Sequence, residues 1–101
     1  MRVLVIGRPR FQVPPEQMAG MAQGASAWLE KNRDSIVVSG AFVSGGGFAV
    51  LDVPDEQTMM RLMMEWPLTP VSDTQVELFI DAESGLQMLQ EAMQGMGGGS
   101  Q

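Results

Sequence analysis

Few side chains in this sequence can move a proton. Among its 101 residues there is no histidine, no cysteine and no tyrosine. That removes the commonest general base near neutral pH, thiol chemistry and the commonest zinc ligand. Acid–base work must fall to Asp, Glu, Lys31 or a group of the bound molecule. Three carboxylates, Glu65, Asp73 and Glu77, flank a proline-rich loop. A carboxyl group in an apolar pocket has its pKa raised and can act as a base at neutral pH. Glu77 is the first choice of the three, because Val76, Leu78, Phe79 and Ile80 around it are all apolar. Its alternative is a solvent-facing place on an edge strand, and the alternative for Glu65 and Asp73 is a solvated loop. Arg8 and Arg10 are two of only six basic residues. A guanidinium suits a planar carboxylate or phenolate, so both are candidates to bind an anionic substrate group; otherwise they pair with surface acids. Trp28, Phe42, Phe48 and Trp66 are candidate walls for a flat ligand, with plain core packing as the alternative for the two tryptophans. Ten methionines suit either an adaptable pocket or a loosely specified core.

These residues need elements to hold them. Val3 to Ile6 is an unbroken apolar run, as in a strand buried on both faces. Pro14 and Pro15 suit a helix's first turn, and Met18, Met21, Ala22, Ala25, Trp28 and Leu29 follow as one helical stripe. Gly20 and Gly24 weaken that helix by about 1 kcal/mol each against Ala, and are read as allowing close approach to the sheet. A second strand spans Ile36 to Val43. Ser44 to Gly47 is a hairpin turn, since glycine tolerates positive φ. The triple glycine precedes a strand and not a helix, which rules against a phosphate loop. Phe48 to Val53 reads as a third strand. Asp52 is expected to cap a second helix with Pro54 in its first turn, and Met59, Leu62, Met63 and Trp66 form its apolar face. Pro67 and Pro70 stop it. Alternation from Thr74 to Ile80 predicts a fourth strand. Asp81 caps a last helix carrying Leu86, Leu89 and Met93, with Gly95 as its end.

The order β-α-β-β-α-β plus a C-terminal helix is the ferredoxin-like, split βαβ arrangement, an α+β fold. Residues 1–95 are expected to form one domain, and 96–101 a flexible Gly-rich tail. Hydrophobic residues make up 45% of the chain, which places it among globular proteins. The net charge of −6 argues against nucleic acid as a partner, for which a basic footprint is needed. No apolar run is long enough for a membrane span, and Met1 leads straight into a strand. A cytoplasmic protein with no membrane partner fits these features. The strands are apolar on both sides although helices cover only one, so a second copy is expected on the other face, making a homodimer or higher homo-oligomer.

Leu51-Asp52-Val53 at the end of a strand, and Trp66-Pro67-Leu68-Thr69-Pro70 before the last strand, resemble the C-terminal half of the muconolactone isomerase family. The resemblance covers about a third of the chain closely and the rest by pattern. It implies a dimeric α+β barrel with a pocket between each sheet and its own helices. Relatives on that fold include cofactor-free monooxygenases, aromatic polyketide cyclases and haem-degrading enzymes. The chain departs from them in lacking His and Tyr, which speaks against a haem ligand. The expected function is a cofactor-independent isomerase or cyclase for a small, mostly apolar organic molecule, a lactone or polyketide-like compound. A carboxylate would move the proton and an arginine would hold the oxyanion; neither a metal nor a cofactor is expected. A cofactor-free monooxygenase and a non-catalytic ligand-binding module are the alternatives. A cavity bordered by at least two of Trp28, Phe42, Phe48 and Trp66 is predicted between the sheet and the first two helices.

Overall fold

The structure, a computed structural model, describes residues 1–99, with side chains described for 1–95. Four strands and three helices follow in the expected order: β1 (Arg2–Pro9), α1 (Pro15–Lys31), β2 (Ile36–Ala41), β3 (Gly47–Asp52), α2 (Glu56–Glu65), β4 (Ser72–Phe79) and α3 (Ala82–Gly99). The strands form one antiparallel sheet in the order β2-β3-β1-β4. This is the ferredoxin-like α+β fold with a C-terminal helix. Among the described residues no helix is long and apolar enough to cross a membrane.

The core lies between one face of the sheet and helices α1 and α2. Val3, Val5, Trp28, Leu51, Val53 and Leu62 are buried there, and Met59, Met63 and Trp66 pack against them. The stripe 59, 62, 63, 66 is therefore the inner face of α2. Along α1 burial is reached only at Trp28, and Met18 stays exposed. Trp28 ties the two helices together, donating its indole Nε1–H to the Leu62 carbonyl at 3.1 Å. Buried Asn32 closes α1 by donating Nδ2–H to the Trp28 carbonyl at 2.9 Å.

Register decides which residues share a face, because directly paired residues on neighbouring strands point the same way. Val3 pairs with Leu51 and Leu78, and Val5 with Ala49 and Val76; these face the helices. Leu4 pairs with Val50 and Glu77, and Ile6 with Phe48 and Gln75; these face away. The far face thus carries apolar Leu4, Ile6, Phe48 and Val50 with no helix of α1 or α2 over it.

Several local expectations are corrected. The cap of α2 is Asp55, not Asp52: its Oδ1 accepts the Thr58 N–H at 2.7 Å. Asp52 ends β3, 3.8 Å from the Met1 amine. Pro54 accordingly lies before the helix. Strand β2 stops at Ala41, and Val43 is fully exposed in the hairpin. Gly45 and Gly46 adopt φ of 107° and 82°, and a side chain on Gly46 would strike the Gly7 carbonyl. Gly24 approaches not the sheet but Pro67, whose Cγ would lie 3.2 Å from an added Cβ. Asp81 caps α3 as expected, accepting from the Ser84 N–H at 3.0 Å and the Ser84 hydroxyl at 2.8 Å. The helix continues past Gly95 to Gly99, and Ser100 and Gln101 lie outside the described residues.

Candidate functional site

Toward the β2–β3 hairpin the helix-facing side chains of the sheet shrink. On β1 they run Val3, Val5, Gly7, and on β3 Leu51, Ala49, Gly47. The helices do not close down to follow them. The last turn of α2 is capped by Thr69, whose hydroxyl donates to the Met63 carbonyl at 2.8 Å, and by the Trp66 N–H, which donates to the same carbonyl at 3.3 Å. This sets Trp66 and Leu68 above the small residues of the sheet. The space left between is a cavity of about 510 Å³, within the range of small-molecule sites. Trp28 and Trp66 wall it together, edge to face with ring centroids 4.9 Å apart.

Of the four predicted wall residues, Trp28 and Trp66 face this cavity, and Phe48 borders it from β3 although its register assigns it to the far face. Phe42 does not. It lies with Phe48, ring centroids 5.8 Å apart, and beneath the Arg8 guanidinium at 4.7 Å. Arg8 is on the far-facing set of β1, in step with Leu4 and Ile6. Arg10 is bound to Asp73, Nε to Oδ1 at 3.4 Å. Neither arginine lines the cavity, so the expectation that they meet a ligand anion there is corrected.

The carboxylates are also elsewhere. Glu77 is exposed on the edge strand β4 and belongs to the face away from the helices, where Gln75 Nε2–H donates to it at 3.4 Å. Its chain neighbours are apolar because they alternate across a strand with two partly apolar faces, not because Glu77 sits in a pocket. Asp73 pairs with Arg8 in the register and shares that far face. Glu65, at the end of α2, is held by Lys31 at 3.5 Å and Arg61 at 3.7 Å. None of the three lines the cavity. Hydrogen bonds from Thr58 lower the pKa of Asp55, and hydrogen bonds from Ser84 lower that of Asp81. Both are helix caps at the surface. Among the described residues no three acidic side chains converge as metal ligands would.

What lines the cavity instead is apolar surface and hydroxyl groups: Ser39 on β2, and Ser72 and Thr74 on β4. Their only signal is alternation, and it has meaning once the register says which set faces the helices. With no ionisable side chain in the lining, the site can cover a flat ring and donate hydrogen bonds from hydroxyls.

The same arrangement of sheet and helices is found in two solved enzymes. A muconolactone isomerase superposes with a TM-score of 0.70 at 17% identity, over 80% of this chain and 90% of that one. The chain shares the fold of muconolactone isomerase. That fold is also found in 5-chloro-2-hydroxyhydroquinone dehydrochlorinase from Burkholderia phenoliruptrix, solved with 2,5-dihydroxybenzoquinone. It superposes with a TM-score of 0.69 at 16% identity, over 83% of this chain and 98% of the other. That fold is thus reached with little sequence in common. No family model matches the chain, and no curated protein matches it.

Proposed function

We propose that this protein binds a small, flat, mostly apolar organic molecule between its sheet and its helices. The observation that carries this reading is the cavity of about 510 Å³ walled by Trp28 and Trp66, with hydroxyls as its polar side chains. The chain has two tryptophans, so their two indole N–H resonances report on this cavity and on the Trp28–Leu62 hydrogen bond beside it. Titration of the protein with a panel of flat aromatic compounds should move both resonances saturably. Ala49→Phe, which fills the space beneath them, should abolish the shifts. A panel in which no compound moves either resonance would overturn the reading.

A second reading makes the protein a cofactor-independent isomerase or cyclase. What favours it is that both solved relatives are enzymes, one an isomerase and one a dehydrochlorinase solved with a quinone. The base would then come from outside the lining. Glu65 is the first carboxylate to test, since it directly precedes Trp66 and is held at the end of α2. Glu65→Gln should lower turnover of a compound found by the titration by about 10²-fold or more if Glu65 is the base. Unchanged turnover would exclude Glu65 as the base, and no turnover by the unsubstituted protein would leave binding as the function. The proposal also includes a homodimer, supported by the apolar far face of the sheet.

A further inference from the structure

The shape and charge of the cavity narrow the ligand further, on the basis of the binding reading above. Ala41 pairs with Gly47, Gly47 with Gly7, and Gly7 with Thr74. These four lie side by side across all four strands, on the face toward the helices, and all four line the cavity. Adjacent strands are about 4.8 Å apart, so the floor measures about 14 Å from β2 to β4. The floor is open at its middle: a Cβ on Gly7 would meet nothing within 4 Å. In the other direction, along the strands, the way is shut by buried Val5 and then by Val3 and Leu51. The long axis of the space therefore crosses the strands. Trp28, Trp66 and Leu68 roof it with flat apolar surface.

The lining also decides charge. It contains no Lys, Arg, Asp or Glu, the chain carries a net −6, and the two nearby arginines are engaged outside it, Arg8 on Phe42 and Arg10 on Asp73. An anion lying in such a site would give up part of its hydration with no cation to replace it, a cost that a neutral group of the same shape does not carry. A neutral ring system loses little and can accept from the hydroxyls of Thr74 and Ser72 at the β4 end or Ser39 at the β2 side. We infer that the site selects a neutral, flat molecule of two or three fused rings with a hydrogen-bonding oxygen at its end, lying across the strands with that oxygen at Thr74 and Ser72.

Three probes separate size from charge: phenol, 2-naphthol and 2-naphthoate, with affinities read from the two indole N–H resonances. 2-Naphthol should bind at least tenfold more tightly than either of the others. Gly7→Leu should weaken 2-naphthol at least tenfold by occupying the middle of the floor. Thr74→Val, an isosteric change at a solvent-accessible position, should weaken it about three- to tenfold by removing one hydrogen bond, and it provides the test should Gly7→Leu not fold. Phenol or 2-naphthoate binding as tightly as 2-naphthol would overturn this inference while leaving the binding site itself in place. So would 2-naphthol affinity untouched by Gly7→Leu or by Thr74→Val. Failure of all three probes to shift either resonance would overturn the inference together with the binding reading beneath it.

Discussion

Leu62 is 1% exposed and sits beneath the Trp28 indole, whose N–H it receives on its own carbonyl. Truncating it removes packing from the one place where α1, α2 and the sheet meet. Leu62→Ala should cost about 2–5 kcal/mol, read from the midpoint of urea unfolding. Glu77 makes the opposite case. Its side chain is exposed on the face away from the cavity, so Glu77→Gln should leave 2-naphthol affinity unchanged within about twofold, against the loss expected of a base lining the site. Calorimetric titration of both proteins checks this; a large loss of affinity would mean that β4 pairs in a different register.

At the scale of elements, the glycines of α1 divide by what surrounds them. Gly20 has open space where a Cβ would go, so Gly20→Ala should stabilise the protein by about 0.5–1 kcal/mol. Gly24 would place that carbon 3.2 Å from Pro67, and Gly24→Ala should return less than Gly20→Ala in parallel thermal melts because the Pro67 loop must give way. Helix α2 carries its own pH dependence. Hydrogen bonds from Thr58 hold the Asp55 carboxyl below its usual 3.8 in the folded state. The folded protein thus binds that proton less readily than the unfolded chain, and the stabilisation is present above the unfolded value and lost as pH falls through the folded one. The Tm difference between the protein and Asp55→Asn should therefore be open at neutral pH and close in acid, below about pH 4. A difference that persists unchanged at low pH would assign the stabilisation to the side chain's shape and not to its charge.

At the scale of the whole molecule, two apolar surfaces remain open. Leu4, Ile6, Phe48 and Val50 line the far face of the sheet, and Leu86, Leu89 and Met93 are exposed along α3, which extends a molecule 67 Å in its longest dimension. Exposed apolar area of this kind favours association. We expect sedimentation at micromolar concentration to give at least a dimer, and Ile6→Lys, which puts a charge in the middle of the far face, to shift it toward the monomer. A monomer before any substitution would remove the argument for a second copy.

The order of elements was legible in the chain because its determinants are local. The stripe Met59, Leu62, Met63, Trp66, the stops at Pro67 and Pro70, the glycine turn at 45–46 and the cap at Asp81 each act through residues a few positions apart. The cap of α2 is not decided locally: Asp52 and Asp55 stand three residues apart, and where β3 stops pairing with β1 chooses between them. The absence of His, Cys and Tyr, also plain in the sequence, limited the available chemistry. What only the tertiary structure decided was which side of each strand meets the helices. A period of two sorts the residues of a strand into two sets, but when both sets are partly apolar nothing local says which turns inward; pairing with neighbouring strands does. That choice sends Glu77, Asp73 and Arg8 to the far face. The same choice brings Ala41, Gly47, Gly7 and Thr74 into one row under Trp28 and Trp66, where residues far apart in the chain leave a space that no single segment contains.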